Sequence, residues 1–361
     1  MTSGSERVRD VRAEDAFDVA AVHEWLALHM PGYRGAFAAP PRVRQFAGGA
    51  SNLTYLLSPP DGASPGVVLR RPPRGTRAAS AHDMGREVLV QRRLRPHLDV
   101  VPRVHAFCED ETVIGAPFYV MEHLRGTVLG AEPPAGADLG EAAARALGET
   151  VIDTLADLHS VDVAAAGLEP LGRGPGYVRR QVSGWSRRWT GAATPDAPDA
   201  AALLAWLDER RPGDVAARLL HGDWKLDNLV VDLAGAAPRI VGVLDWEMAT
   251  VGDPLMDLGA AMAYWITADD DPDYTVLRRQ PTHLPGMPTR ERAVARYLDR
   301  TGLPVDDWRF YEVFGLFRLA VIVQQIWARY TAGQTTDPQF AAFGSLVAML
   351  IARAARRAGV G

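Results

Sequence analysis

The sequence predicts an α+β protein of two lobes, a β-rich first lobe and a mainly helical second lobe. Its 361 residues exceed what one compact core usually supports. Short β-like runs separated by turn residues fill the chain up to about residue 122. Beyond that residue, apolar side chains recur mainly at helical spacing. We therefore predict one lobe over residues 1–122 and a second over residues 123–361.

The elements predicted for the first lobe alternate between helix and strands. A helix is predicted over residues 16–30, where apolar side chains recur at helical spacing before Pro31 and Gly32 end it. A second helix is predicted over residues 79–95 on the same criterion. Strands are predicted in the runs VRQFAGGASNLTYLLS, VVLRR, VHAFCED and APFYVMEHL, which turn residues separate.

Helices dominate the prediction for the second lobe. They are expected over residues 140–160, 201–211, 253–266, 289–301, 307–331 and 338–358. Residues 170–195 are rich in Gly and Arg, so we expect a loop within them. The hairpin-like stretch of residues 219–247 carries the polar motifs that point to function.

The composition is that of an ordinary soluble protein, with 47% apolar and 23% charged residues. The net charge of −5 gives no general case for nucleic-acid or membrane binding, and no run of about 18 uninterrupted apolar residues predicts a membrane span. Cys108 is the sole cysteine, which excludes an intrachain disulfide and a cysteine-based metal site. Because the N-terminus also lacks the apolar core of a signal peptide, we expect a cytoplasmic protein. We expect it to be a monomer or a homodimer.

Two segments, HGDWKLDNLVV and VGVLDWE, contain the residue types that phosphoryl transfer requires. That reaction needs a carboxylate near the attacking hydroxyl, metal ions that bridge the phosphates, and cations for the developing charge. Asp223 and Asn228 are five residues apart, as base and metal ligand are in the protein-kinase pattern H-R-D-L-x-x-x-N. Lys225 lies two residues after Asp223, where it can reach the transferring phosphate. The loop therefore predicts Asp223 and Lys225 as catalytic residues and Asn228 as a metal ligand.

Asp245 is the second candidate metal ligand. It lies 22 residues after Asp223, at the end of the apolar run IVGVL, where protein kinases have the D-F-G aspartate. One Asn and one Asp suffice for Mg²⁺, which takes few protein oxygens besides phosphates and water. The alternative is that HGD is a turn and LDW a strand end, since Asp and Asn are common in turns. Five positions that match in type and order across two segments favour the catalytic interpretation.

The segment HGDWKLDNLVVD…VLDWEMATVGDPLMDLG closely resembles the aminoglycoside phosphotransferase/choline kinase-like family. It is especially similar to the branch that includes the kinase-like domains of certain acyl-CoA dehydrogenases. The resemblance extends from about residue 44 to residue 330 and is most specific over residues 221–259. It implies a bilobal, eukaryotic-protein-kinase-like fold with ATP and Mg²⁺ as cofactors. The roles it implies are Asp223 as catalytic base, Asn228 and Asp245 as metal ligands, and Asp257 as a structural carboxylate that braces the catalytic loop.

A glycine-bearing turn in the first lobe is the candidate phosphate loop. Gly48 and Gly49, in GGASN, lack side chains, so backbone N–H groups there can approach phosphates closely. Two glycines between strands are usually no more than a turn. In the family, however, this segment resembles the nucleotide-phosphate loop, with Ser51 and Asn52 near its tip.

A kinase-like lobe also needs a strand cation paired with a helix glutamate. The candidates are Arg70, in VVLRR, and Glu87, in GREVLV. The cation here is Arg rather than the commoner Lys, but a guanidinium can bridge phosphate and carboxylate. Arg71 is the alternate, since strand alternation lets only one of the two face the cleft. We favour Arg70 because it directly follows the apolar run; a surface arginine on an edge strand is the alternative reading.

The strand end FYVMEHLRG is expected where the two lobes join. In the family such a segment offers backbone N–H and C=O groups to adenine. The resemblance assigns this role to Glu122 and Leu124, with the Met121 side chain behind the base. A plain core strand followed by a turn would have the same sequence.

Charge is the main clue to the acceptor. Residues 170–195 contain no Asp or Glu, and their arginines alternate with aromatic residues. The residues concerned are Arg173, Arg179, Arg180, Arg187 and Arg188, with Tyr177, Trp185 and Trp189. The stretch predicts either an anionic, partly apolar acceptor or a solvated basic helix. A polycationic aminoglycoside would need an acidic pocket, and the one dense acidic run is Asp269–Asp271 with Asp273. The branch resembled suggests a hydroxyacyl or hydroxyacyl-CoA acceptor.

Three alternatives compete with a small-molecule kinase. A pseudokinase binding module is disfavoured because Asp223, Asn228 and Asp245 are all present. A metal-dependent hydrolase using His221 is disfavoured because no second His lies at ligand spacing, so His221 is better explained as structural. An aminoglycoside phosphotransferase stays open, although the balance of charge is against it.

Overall fold

The computed structural model describes residues 8–46, 52–62, 65–73, 83–134, 136–137, 139–235 and 237–361. The chain forms two compact units. The first unit comprises Met1–Val128, Leu229–Leu233 and Ile240–Ala249, and the second comprises Leu129–Asn228, Ala234–Arg239 and Thr250–Gly361. The predicted α+β class is confirmed, since a sheet dominates the first unit and helices dominate the second.

A six-stranded antiparallel sheet forms the centre of the first unit. Its strands are β1 (Val8–Arg9), β2 (Arg42–Phe46), β3 (Leu53–Ser58), β4 (Val67–Arg71), β5 (Val104–Cys108) and β6 (Phe118–Glu122). They lie in the order β1-β2-β3-β4-β6-β5. The sequence missed β1, because a two-residue edge strand is too short to show a periodic pattern.

Helices cover both faces of this sheet. They are α1 (Val19–His29), α2 (Tyr33–Ala36) and α3 (Met84–Leu94). Side chains of β4 alternate between two apolar clusters: Leu69 packs in one with α1, and Val68 packs in the other with α3. Because successive side chains of a strand point to opposite faces, Arg70 lies on the face of Val68, and Arg71 lies on the face of Leu69.

Two strands of the predicted hairpin-like stretch, β8 (Leu229–Asp232) and β9 (Arg239–Val243), form a two-stranded sheet. It packs against the segment after β6 through two glycines. A Cβ on Gly242 would overlap the Leu124 side chain, and a Cβ on Gly126 would be 2.7 Å from a methyl carbon of Val230. Thr127 and Val231 exchange backbone hydrogen bonds there.

The second unit is built from eight helices in the described part of the chain, with one small sheet. The helices are α4 (Glu141–His159), α5 (Tyr177–Gly191), α6 (Ala201–Glu209), α7 (Pro254–Met262), α8 (Pro272–Thr275), α9 (Arg290–Thr301), α10 (Trp308–Thr331) and α11 (Phe343–Ala358). The sheet pairs β7 (Arg218–Leu220) with β10 (Thr250–Gly252). Helix α10 is largely buried and packs against α5, α7 and α11. Within residues 170–195, α5 occupies Tyr177–Gly191, and irregular segments precede and follow it.

Two helical segments among the described residues are long and apolar enough to span a membrane by length and composition, Trp308–Thr331 and Pro338–Ala358. The first is 72% buried within the protein over its most apolar window, which is typical of a core helix, and the second is 22% buried. The expected absence of a membrane span therefore stays a prediction.

The crossing of α7 and α10 yields a stability prediction. A Cβ on Gly315 would overlap the carbonyl oxygen of Gly259, so Gly315→Ala forces two tightly packed helix backbones apart. We expect the substitution to lower the free energy of unfolding by about 1–3 kcal/mol in a denaturant titration. Gly184→Ala, within α5, is the matched control. The added Cβ would have its nearest neighbour 3.9 Å away, and alanine has a higher helix propensity than glycine. Equal effects of the two substitutions would contradict the close approach.

Candidate functional site

Asp223, Lys225 and Asn228 lie together on the loop that follows β7. The Asp223 carboxylate accepts hydrogen bonds from Lys225 Nζ at 2.7 Å and from Asn228 Nδ2 at 3.1 Å. Asn228 Nδ2 also donates to the Asp223 backbone carbonyl at 2.8 Å. A short 3-10 turn over Leu226–Asn228 leads from this loop into β8 and brings Asn228 back towards Asp223. The spacing that the sequence singled out thus corresponds to direct contact.

Charge keeps the Asp223 side chain ionised. Burial alone would raise its pKa, but Lys225 and Arg318 lower the pKa below the usual value of an aspartate. For Lys225, burial would lower the pKa, but Asp223 and Tyr264 raise it. The ammonium group lies 5.5 Å from the centre of the Tyr264 ring. The two side chains therefore form a carboxylate–ammonium pair, and the carboxylate can accept a proton at neutral pH.

A buried carboxylate on α7 holds this loop. Asp257 accepts hydrogen bonds from the backbone N–H groups of His221 at 2.8 Å and Gly222 at 3.0 Å. His159, at the end of α4, contacts the same carboxylate at 3.2 Å. Burial would raise the pKa of Asp257, but the contact with His159 and the charge nearby lower it. The geometry agrees with the bracing role that the family resemblance implies for Asp257.

Two further side chains support the loop, and sequence reasoning missed both. Arg318, on α10, donates from Nη2 to the Gly222 carbonyl at 2.6 Å. Gln280, in the irregular segment after α8, accepts from the Leu226 backbone N–H at 2.7 Å and donates to the Tyr264 carbonyl. Neither belongs to a motif, because each contact with the loop joins residues more than 50 positions apart in the chain.

Arg70 is the cation of a second polar cluster, within the first unit. Its Nε lies 3.1 Å from Glu87, on α3, and its Nη2 lies 2.5 Å from Asp245. Arg71 instead donates to the Asp15 carbonyl and the Tyr55 hydroxyl, on the opposite face of the sheet. The predicted choice of Arg70 over Arg71 therefore agrees with the geometry, and so does its predicted pairing with Glu87.

Asn52 bridges two carboxylates of the same cluster. Its Nδ2 donates to Glu87 at 2.9 Å and to Glu247 at 3.1 Å. The Tyr119 hydroxyl donates to Glu87 at 2.8 Å. Burial raises the pKa of Glu87 to about 7, although Arg70 and Tyr119 oppose the shift. Glu247 and Tyr119 were not predicted, although Glu247 ends the LDWE motif and that position could have identified it.

Asp245 has an unusual backbone conformation directly after β9. Its φ of 65° and ψ of 67° make it the one non-glycine residue with positive φ among the described residues. Aspartate tolerates this region better than most residues, yet such strain is common at functional sites. Ligand oxygens of Glu87, Asp245 and Glu247 all lie within 4.8 Å of one another. Oxygen donors of this kind suit Mg²⁺, so the residues present fit the metal that the sequence predicts.

The residues predicted to bind adenine lie at the end of β6. The Glu122 backbone N–H donates to the Arg103 carbonyl at 2.8 Å, and the Glu122 carboxylate accepts from the Arg103 N–H. Leu124 packs beside Gly242, and Met121 is buried among apolar residues of β4 and α3. These contacts leave the proposed adenine-binding role a prediction. Gly48, Gly49 and Ser51, predicted for the phosphate loop, lie outside the described residues.

Two carboxylates of the dense acidic run, Asp270 and Asp271, are paired with arginines. Asp270 is held by Arg290 at 2.6 Å and by Arg353 at 2.5 Å, and it accepts from the Thr267 backbone N–H. Asp271 lies 3.0 Å from Arg353 as well. These carboxylates therefore act as structural ion-pair partners.

The brace at Asp257 yields a second prediction. Asp257→Asn places amide hydrogens or a weaker acceptor against two buried N–H donors. We expect a loss of about 2–4 kcal/mol in the free energy of unfolding, measured by chemical denaturation. Asp299→Asn, an exposed change of the same kind on α9, should leave stability within about 0.5 kcal/mol. A loss no larger at Asp257 than at Asp299 would show that the carboxylate does not hold the loop.

Comparison with known proteins agrees with this geometry. The model of the phosphotransferase enzyme family matches residues 42–314. Acyl-CoA dehydrogenase family member 11 of Rattus norvegicus is 32% identical over 334 residues, which cover 91% of this chain. The chain spans less than half of that relative's length, at 42%.

Solved structures show the same fold. A Ralstonia eutropha protein, whose assignment as an aminoglycoside phosphotransferase is provisional, is 30% identical, with a TM-score of 0.79 over 95% of this chain and 99% of its own. The GDP complex of aminoglycoside 2'-phosphotransferase-IIIa is 15% identical, with a TM-score of 0.60 over 95% of this chain and 99% of its own, and this likeness concerns the fold alone. The family match covers most of the chain and includes both polar clusters. The chain therefore belongs to the phosphotransferase enzyme family.

Proposed function

We propose that this protein is an ATP- and Mg²⁺-dependent phosphotransferase that acts on a hydroxyl group of a small molecule. The observation that carries the proposal is the contact of Asp223 with both Lys225 and Asn228 on one braced loop. A structural turn would not need an ionised carboxylate held between an ammonium group and an amide. Phosphoryl transfer needs such a group beside the attacking hydroxyl.

Asp223 acts as the base in this proposal. Its carboxylate accepts the proton of the acceptor hydroxyl as the oxygen attacks the γ-phosphorus of ATP, the bond from that phosphorus to the β,γ-bridging oxygen breaks, and ADP leaves. Lys225 holds the carboxylate in position and adds positive charge where negative charge develops. Asp257 and Arg318 hold the backbone of the loop, so that Asp223 need not reorganise during the reaction.

Asn228 and Asp245 are the proposed metal ligands. The Asn228 amide nitrogen is engaged with Asp223, which leaves its carbonyl oxygen as the ligand atom. Asp245 is a carboxylate whose strained backbone orients it, and Glu247 is an additional oxygen donor two residues later. Mg²⁺, when bound, would neutralise phosphate charge. Arg70, held by Glu87, is proposed to bind phosphate oxygens.

A hydroxyacyl or hydroxyacyl-CoA compound is the proposed acceptor. The similarity to acyl-CoA dehydrogenase family member 11 supports this class, and so do the arginines of α5. An aminoglycoside is a weaker candidate, because Asp270 and Asp271 are already paired with arginines. A screen of ATP consumption over alcohols, sugars, amino alcohols and hydroxyacyl-CoAs tests the choice. Turnover with aminoglycosides and none with hydroxyacyl-CoAs would reject it.

A pseudokinase is the second candidate, and the arginine at position 70 favours it, since lysine is the commoner residue there. In that case the protein would bind nucleotide without transferring phosphate. The base and the metal ligands are the discriminating residues, and the two predictions that follow separate the candidates.

Asp223→Asn tests the base. The change keeps the shape of the side chain but removes the proton acceptor, so kcat should fall by at least about 100-fold. The Kd for ATP, measured by isothermal titration calorimetry, should stay within about threefold of the parent value because Asp223 binds no nucleotide in this proposal. Asp299→Asn is the control and should retain full turnover. Unchanged turnover by Asp223→Asn would contradict the assignment of the base.

Asp245→Asn tests the metal ligand. Asparagine, like aspartate, tolerates positive φ, so the backbone should be preserved while the anionic ligand is lost. We expect Mg²⁺ to strengthen binding of a non-hydrolysable ATP analogue to the parent protein by at least about tenfold, and to have little effect on the variant. Asp10→Asn, an exposed change in the same unit, should behave like the parent. Equal magnesium dependence in all three proteins would rule out Asp245 as a ligand.

A further inference from the structure

Trp185, on α5, lies against two guanidinium groups. Arg188 Cζ is 4.6 Å from the centre of the indole ring, and Arg318 Cζ is 5.1 Å from it. The ring itself is buried, so it forms a fixed apolar surface beside two positive charges. Cation–π contact stabilises each guanidinium, but it does not remove the repulsion between them.

Arg318 connects this pair to the catalytic loop. Its side chain is 7% exposed, and it donates to the carbonyl of Gly222, the residue before Asp223. Its charge also helps to lower the pKa of Asp223. Arg318 is therefore anchored next to the proposed base, and the Trp185 ring connects it to Arg188.

Arg188 makes no hydrogen bond or ion pair with another side chain in the part of the chain that the structure describes. Helix α5 contains no Asp or Glu that could supply one. Partial burial lowers the pKa of Arg188, and the positive charges of Arg318 and Arg187 lower it further. The nearby charges are thus cations, which makes this position favourable for an anion.

Several other arginines of the second unit have neighbouring acceptor groups. Arg180, on the same helix, donates to the carbonyls of Gly174 and Pro175. Arg290 and Arg353 are paired with Asp270. A solvated basic helix would not require one of its arginines to lie on a buried indole beside a second, buried arginine.

We propose that Arg188 and Arg318, together with the Trp185 ring, bind an anionic group of the phosphoryl acceptor, either a carboxylate or a phosphate. The inference rests on the proposed function, since it takes Asp223 as the base. The exposed guanidinium group of Arg188 can donate two hydrogen bonds to such an anion. Arg318 adds positive charge, and the Trp185 ring holds both guanidinium groups in place. The acceptor is then a hydroxylated compound with an anionic group, and neutral alcohols of similar size are poor ligands.

Direct binding of paired anionic and neutral compounds tests this subsite. Isothermal titration calorimetry with a non-hydrolysable ATP analogue and Mg²⁺ present would compare 3-hydroxybutyrate with its methyl ester, for a carboxylate. It would also compare 3-hydroxybutyryl-CoA with its N-acetylcysteamine thioester, for a phosphate. We expect at least one anionic member to bind at least tenfold more tightly than its neutral partner, and the pair that shows the difference identifies the anion.

Arg188→Gln shows whether the preference belongs to this subsite. Arg188 is exposed, so its substitution should not compromise folding. We expect the Kd of the preferred anionic compound to rise at least tenfold, that of its neutral partner to stay unchanged, and Arg188→Lys to recover part of the affinity. Arg292→Gln, an exposed loss of the same charge on α9, should change neither Kd.

Three outcomes would overturn the subsite: no binding by either anionic compound, equal binding of anionic and neutral partners, or no effect of Arg188→Gln. Phosphoryl transfer from ATP is scored separately with the same compounds. Arg188-dependent binding without transfer would retain the subsite and reject the proposed function. Equal transfer to anionic and neutral partners would retain the function and reject the subsite.

Discussion

The buried Asp257 carboxylate is the constraint on which the loop of residues 221–228 depends. It accepts hydrogen bonds from the backbone N–H groups of His221 and Gly222, and His159 contacts it from α4. Buried donors without a partner are costly, so this one side chain both satisfies the loop backbone and determines its path. Asp223 directly follows Gly222 in the chain. Because the backbone before it is fixed, its carboxylate lies where Lys225 and Asn228 donate hydrogen bonds to it. The site is therefore preorganised by a group that does not itself react.

Charge balance governs the polar cluster of the first unit. One guanidinium, that of Arg70, is shared by Glu87 and Asp245, with Glu247 4.0 Å away. Three acidic side chains and one cation leave the cluster with excess negative charge when all are ionised. Burial of Glu87 in this cluster raises its pKa. A divalent cation would complete this balance, which is the physical basis for assigning Asp245 to the metal. In the second unit, the exposed Arg188 makes no ion pair with another side chain of the described residues.

Short-range spacing predicted part of this site, and long-range contacts account for what was missed. The five-residue separation of Asp223 and Asn228 was informative because a tight loop brings two residues at this spacing into direct contact. Strand alternation predicted that Arg70 and Arg71 lie on opposite faces, which the sheet reproduces, and Arg70 was favoured because it directly follows the apolar run. The roles of Gln280 and Arg318 depend on how distant elements pack, and no local pattern in the sequence indicates them. Glu247 differs, because it ends the LDWE motif and could have been identified from it. The length of an element likewise decided whether it could be predicted. The long periodic helices α4 and α10 were predicted closely, whereas β1 and α2 are too short to show a periodic pattern.

The central claim is that phosphate passes from nucleotide to a hydroxyl group held beside Asp223. The most direct measurement follows the γ-phosphoryl group itself, using γ-labelled ATP, Mg²⁺ and 3-hydroxybutyryl-CoA, with separation of the products by chromatography. The account predicts that the label appears in an organic phosphate ester that forms only when protein and acceptor are both present. Label that stays in ATP, or that appears only in inorganic phosphate whatever acceptor is supplied, would contradict it.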